Sequence, residues 1–241
     1  MAIRNNYSPC RRTRKQRTIL QEGLVDDMRN RFDAQLAQLN LELIEMGTLC
    51  EDAIKETYKV LLNEDKEAAK EIIAHDSVID RAERDIENLC LKLLLQQQPV
   101  AKDLRQVSAA LKMITDMERI GDQAADIAEI VATAHIPVAD EMVTLKEMAE
   151  ATMNMVTSAV DAYVKRDLDI AQKVIAADDT VDELFIKMKK KLLDIIQKNP
   201  ADGECALDVL MIAKYYERIG DHATNVAEWV EFSLTGVHKG A

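Results

Sequence analysis

The stretch Leu43 to Asp80, LIEMGTLCEDAIKETYKVLLNEDKEAAKEIIAHDSVID, is written a second time without a gap from Leu145 to Asp182, as LKEMAEATMNMVTSAVDAYVKRDLDIAQKVIAADDTVD. Leu43, Glu45, Met46, Asp65, Ala69, Ile73, Ala74, Asp76 and Asp80 fall on identical residues at an offset of 102. Further on, Glu118-Arg119-Ile120-Gly121-Asp122 returns as Glu217-Arg218-Ile219-Gly220-Asp221 at an offset of 99. Each copy is trailed by two alanines and a glutamate (Ala124, Ala128, Glu129; Ala223, Ala227, Glu228). The three-residue difference between offsets falls in a turn, where length changes are best tolerated. The chain therefore holds two copies of one unit, with a period too long for a tetratricopeptide or armadillo array.

Apolar spacing makes each unit three helices. A stripe of Phe32, Leu36, Leu39, Leu43, Met46, Leu49 and Ala53 recurs at three and four residues and continues to Leu62, where Asn63-Glu64-Asp65 breaks it. A second stripe (Ala69, Ile72, Ile73, Ile79, Ile86, Leu89, Leu93) runs to the Gln96-Gln97-Gln98-Pro99 turn. The third carries Leu104, Val107, Leu111, Ile114, Met117 and Ile120 and fades near Pro137. The spacing then predicts helices over about 139–165, 167–197 and 204–232, with Asn199-Pro200-Ala201-Asp202-Gly203 as a turn. Short connections make successive helices antiparallel neighbours. The expected fold is all-α: two tandem three-helix bundles, six long antiparallel helices in all, as repeats over 28–136 and 137–235 with a tail at 236–241.

Composition agrees and narrows the function. Aromatic, glycine and proline residues are few, which favours long helices over sheet. No apolar run nears the roughly 20 uncharged residues of a membrane span, so no direct membrane insertion is expected. Cys10, Cys50, Cys90 and Cys205 form no Cys-x-x-Cys pair and no secretory leader precedes them, which points to a cytoplasmic protein. Cys50 and Cys90 read as inert core. The net charge of -12 hides a basic leader, residues 1–27, which carries six basic and three acidic side chains. The acidic remainder repels nucleic acid and attracts cations or basic partner surfaces. The leader reads as disordered or as an extension upstream of a true start at Met28, with a nucleic-acid or lipid-binding tail as the alternative.

The repeat also exposes paired acids. Asp76 and Asp80, Asp178 and Asp182, Glu118 and Asp122, and Glu217 and Asp221 are each four residues apart, one turn above each other on a helix. Residues equidistant from a hairpin turn lie at one height. That places Asp80 level with Glu118 and Asp76 with Asp122, and likewise Asp182 with Glu217 and Asp178 with Asp221. Like charges at this spacing cost a few tenths of a kcal/mol, so their matched recurrence points beyond a merely solvated face. Arg119 and Arg218 are candidates to neutralise them as ion pairs. The other reading is two cation sites, for which all-oxygen ligands suit Mg, Mn, Ca or ferric iron over zinc or copper. Asp126, replaced by Asn225 in the second copy, extends one site and makes the two non-equivalent. His75 and His222 lack counterparts (Ala177, Gln123) and read as surface residues. Gly121 and Gly220, each costing about 1 kcal/mol in a helix interior, read as positions where a neighbouring backbone or bound ligand comes close.

Over Met28 to about Ser233 the chain resembles the PhoU family, on the repeated Glu-Arg-Ile-Gly-Asp, the Asp-x-x-x-Asp pairs and the opening Met28-Arg29-Asn30-Arg31-Phe32. The basic leader departs from that pattern. The resemblance implies a non-catalytic cytoplasmic regulator, often homodimeric. It would couple the phosphate ABC transporter, through its ATPase, to a sensor histidine kinase and act as a negative regulator of phosphate signalling and uptake. The metal ligands so implied are Asp76, Asp80, Glu118, Asp122, Asp178, Asp182, Glu217 and Asp221, to which spacing adds Asp126, holding Fe, Mn or Mg. A metal-dependent phosphate-ester hydrolase would also use paired carboxylates, and a structural helical scaffold would leave them in solvent.

Overall fold

Among the described residues, long runs of helix-favouring residues, unbroken by proline, build six α-helices: α1 Arg14–Asn63, α2 Lys66–Gln96, α3 Ala101–Thr133, α4 Glu141–Lys165, α5 Leu168–Lys198 and α6 Gly203–Thr235. A 3₁₀ turn, Pro200–Asp202, joins the last two. This computed structural model describes the backbone of residues 14–96, 101–136 and 141–237, and the side chains of 29–95, 101–136 and 142–237. The expected turns at Gln97-Gln98-Pro99 and Pro137, the first 13 residues of the leader with Cys10, and the tail from His238 lie outside the described residues. Helix α1 begins at Arg14, well before the Arg29 start that apolar periodicity marks. The backbone of 14–27, the second half of the basic leader, is helical and continuous with the rest of α1.

The two copies make two three-helix bundles, α1–α3 and α4–α6. Helices α3 and α6 pack on each other at the centre, α1 meets α4 beside them, and α2 and α5 flank the pair on opposite sides. Close approach of α1 to α4 needs Gly47, where a β-carbon would stand 3.0 Å from Val160. The core is continuous across both copies. Its α1 face starts as the spacing predicts, with Phe32, Leu39, Leu43 and Met46, and then turns to Cys50, Ile54 and Thr57, leaving Leu49 and Ala53 half-buried. Leu104 is a correction: it is 47% exposed, while Gln106 and Asp103 of the same turn are buried. Arg29 donates to Asp103 at 2.8 Å, and Arg166 donates to the Gln106 side chain at 2.6 Å, so these polar groups are buried with partners. Cys50 and Cys90 are free and buried, and burial pushes both thiols up to about 12, as inert core requires.

The repeat is copied down to its joints. Glu64 and Arg166, 102 residues apart, both adopt left-handed backbone, with φ of 51° and 55°. In each, the next amide reaches back five residues, Asp65 to the Val60 carbonyl at 3.0 Å and Asp167 to that of Ala162 at 2.9 Å. That is the Schellman ending of a helix. The same aspartate then starts the following helix, accepting from the amide of Ala68 at 3.0 Å or Ile170 at 3.1 Å. A two-residue joint therefore reverses the chain twice in the same way. Removing either cap, Asp65→Ala or Asp167→Ala, is expected to cost about 1 kcal/mol in urea unfolding, with no change in helical signal at low denaturant.

Candidate metal centre

Each bundle presses an aspartate against a bare helix backbone. A β-carbon on Gly121 of α3 would lie 2.8 Å from the Ile79 side chain and 3.1 Å from Asp76 Oδ1 of α2. On Gly220 of α6 it would lie 3.3 Å from Asp178 Oδ1 and 3.4 Å from Val181 of α5. The glycines that helical propensity disfavours are there to admit α2 and α5 at this level. Asp76 Oδ1 is thereby buried without a hydrogen-bond partner. Burial first, then the charges of Asp122, Asp80 and Asp126, pushes the Asp76 carboxyl up to about 6. Burial, then Asp221 and Asp182, does the same to Asp178, also to about 6.

These neighbours are the ones that hairpin heights predict. Glu118 is raised by burial and then by Asp122, with Glu83 and Asp80 also acting on it. Asp221 is raised by desolvation and then by Glu217, with Asp182 across the hairpin. The acids form facing rows. Among the described residues, no three His, Cys, Asp or Glu side chains converge on one point so as to hold a metal ion. Protein cations take part of the charge instead. Arg119 contacts Asp122 at 2.8 Å and Glu118 at 3.4 Å, as the ion-pair reading expects. Arg218 serves the other copy, acting on Asp126 of α3, which shares a hydrogen bond with Tyr215. Two features nonetheless suit a cation that prefers oxygen: a buried carboxylate oxygen without a donor, and a glycine cradle that keeps it there.

Two residues escape the sequence reading and separate the sites. Glu83 continues the Asp76, Asp80 face by a further turn and acts on Glu118; its signal is the i, i+4, i+7 spacing. In the second bundle its counterpart is Phe185, over whose ring Lys214 sits at 5.4 Å while it pairs with Glu217. The first site thus gains an acid where the second gains a lysine.

His222 is also corrected. It is not a surface residue: only 19% of its side chain is exposed. Its Nδ1 and Asp116 Oδ1 are 2.9 Å apart, and Asn225 donates to the same oxygen at 3.1 Å. Asp116 with Asn225 and Tyr215 with Asp126 occupy equivalent positions at the offset of 99, so α3 and α6 are tied by two related bridges. His75 is exposed as expected, its Nδ1 2.8 Å from the Glu71 carbonyl.

The family model for the PhoU domain matches the chain twice, over residues 43–131 and 145–230. A Clostridium acetobutylicum protein named phosphate-specific transport system accessory protein PhoU homolog is 36% identical over 207 residues, covering 85% of this chain and 94% of that one. A Rhizobium meliloti protein of the same name is 30% identical, covering 85% and 87%. The crystal structure of PhoU from Pseudomonas aeruginosa superposes with a TM-score of 0.80 at 30% identity, covering 86% of this chain and 100% of that one. The phosphate transport system regulatory protein PhoU from Streptococcus pneumoniae does so at 0.79 and 25%, covering 87% and 100%.

Two outcomes test this geometry. Glycine to alanine at an interior helix position ordinarily stabilises by up to about 1 kcal/mol. Here Gly121→Ala is expected to destabilise by roughly 1–3 kcal/mol through overpacking, and Gly220→Ala to cost less, in paired urea titrations. A carboxyl raised above its unfolded value contributes stability only while protonated, and loses it as pH rises from about 4 towards 6. Asp76→Asn should therefore raise the melting temperature of chelator-treated protein at pH 7. The gain is on the order of 1 kcal/mol after solvent screening and fades by pH 4.

Proposed function

The chain belongs to the PhoU family, and on that footing we propose that it is an accessory protein of phosphate transport, a cytoplasmic regulator that restrains phosphate uptake and starvation signalling. It would do so by contacting the transporter's ATPase and a sensor histidine kinase, as a homodimer. The names of its relatives support the transporter link. Among the described residues no helix is long and apolar enough to cross a membrane, so membrane partners would be met at their aqueous faces.

The observation that carries the mechanism is the doubled aspartate on glycine. Asp76, Asp80, Glu118, Asp122 and Asp126 would hold Fe, Mn or Mg in the first bundle, and Asp178, Asp182, Glu217 and Asp221 in the second. A bound ion would supply positive charge that cancels repulsion between facing rows. The protein's own part is to bury Asp76 and Asp178 and to hold α2 on α3 and α5 on α6 at that height. Built-in cations already answer part of the charge at both sites, Arg119 on Asp122 and Glu118 in the first bundle and Lys214 on Glu217 in the second.

Catalysis has little support in the surroundings. A hydrolase would want an acid or base beside the acids. His75 is turned to its own backbone and His222 to Asp116.

Metal analysis and capture from cell extract test the reading together. Wild-type protein should retain metal and melt lower in chelator; Asp76→Asn with Glu118→Gln, and Asp178→Asn with Glu217→Gln, should each lose metal. Tagged protein should recover the transporter ATPase at high phosphate. Metal-free protein whose melting ignores chelator supports the scaffold instead, and phosphate-ester turnover abolished by Glu118→Gln supports the hydrolase.

A further inference from the structure

Beside the first acidic site, α1 and α2 part to leave a groove of about 350 Å³, closed at its inner end by Gly121. Its floor is apolar, with Leu49, Ala53 and Ile72 half-buried and Ile79 buried. Its rim is acidic: Asp52 and Glu56 from α1, Glu71 and Asp76 from α2. Among the described residues, Lys59 on Glu56 is the one ion pair formed by these four acids. Asp76 lines the groove beside Gly121, with its Oδ1 buried against that glycine.

The second bundle does not repeat this surface. At the offset of 102, Asp52, Glu56, Glu71 and Asp76 become Asn154, Ser158, Lys173 and Asp178. Four negative charges become one negative and one positive, a net of zero. The joints, the aspartate and the glycine are kept while the rim is rewritten. The shared fold therefore does not require the acidic rim.

We propose that this groove is a docking site, confined to the first bundle, for a segment of a partner protein that places an aliphatic side chain next to lysine or arginine. The aliphatic group would cover Leu49 and Ile72. The flanking cations would meet Asp52, Glu56 and Glu71. Charge complementarity of this kind fixes the choice of partner and speeds encounter more than it adds affinity. The apolar floor supplies the anchor that an acidic surface alone lacks. The inference deepens the regulator reading by naming a partner surface, and rests on it for taking the occupant to be a protein.

Fluorescence anisotropy with a labelled amphipathic leucine/lysine peptide tests it on the full chain, with an all-lysine peptide and spermine as controls. Writing the second bundle's residues into the groove (Asp52→Asn, Glu56→Ser, Glu71→Lys) should weaken the leucine/lysine peptide at least ~10-fold. A charge-matched change on exposed acids of the second bundle (Glu183→Ser, Asp194→Asn, Glu204→Lys) should shift it less than ~2-fold. Glu71→Lys alone replaces the triple variant if that melts early. No binding, equal weakening by both triples, or equal affinity for all-lysine peptide or spermine overturns the proposal. So does sedimentation in which the groove triple abolishes self-association, since the occupant is then a second copy. Purified components suffice, so failure to capture the transporter ATPase while peptide binding persists counts against the regulator reading alone.

Discussion

Everything near the acidic rows depends on how closely two helices approach where one of them has no side chain. With alanine at position 121, the β-carbon would meet Ile79 at 2.8 Å, below ordinary contact between carbons. Glycine removes that obstacle and lets α2 settle on α3. The settled helix takes Asp76 with it, and a carboxylate oxygen ends up buried without a donor. An isolated buried acceptor is costly. The fold keeps it in one copy and keeps its partner, Asp178 on Gly220, in the other.

That constraint explains why α2 and α5 lie outside while α3 and α6 face each other. Each glycine-bearing helix is packed on two sides. Its glycine face receives the neighbour that brings the aspartate, and another face meets its counterpart helix through Asp116 with His222 and Asp126 with Tyr215. One acidic row of each site therefore sits on a middle helix, α3 or α6, and the facing row on the flanking α2 or α5, so that both are positioned by helix packing rather than by loops.

The heights of the acidic pairs were legible because a hairpin converts sequence distance into height at a fixed rise per residue. Asp76 and Asp122 meet where counting places them, and so do Asp178 and Asp221. The joints were legible as breaks but not as copies, since nothing in the identities of Glu64 and Arg166 announces a left-handed backbone that usually falls to glycine. Contacts between the copies were not legible at all. His222 reads as unsupported because its counterpart is Gln123; its real partner is Asp116 on the opposite helix, and spacing along one helix carries no trace of that. Lys214 was missed for a related reason: Phe185, over whose ring its ammonium sits, replaces an acid, Glu83, that itself became visible only beside Glu118.

Duplication fixes which features the fold needs and which it does not. A residue kept in both copies at a matched place, such as Asp65 with Asp167 or Gly121 with Gly220, answers to a geometry that both bundles share. A residue changed in one copy is free of that geometry and answers to something else. By this measure the backbone joints and the aspartate on glycine belong to the architecture. The charges around them diverge: Glu83 against Phe185, Thr115 against Lys214, Glu71 against Lys173. Each of these three positions is more negative in the first bundle, while Arg81 against Glu183 and Arg84 against Ile186 run the other way. Two bundles of one shape and equal net charge thus place their charges differently, and the rim beside α1 and α2 of the first is where a cationic segment finds acids of which, among the described residues, only Glu56 has its own cation.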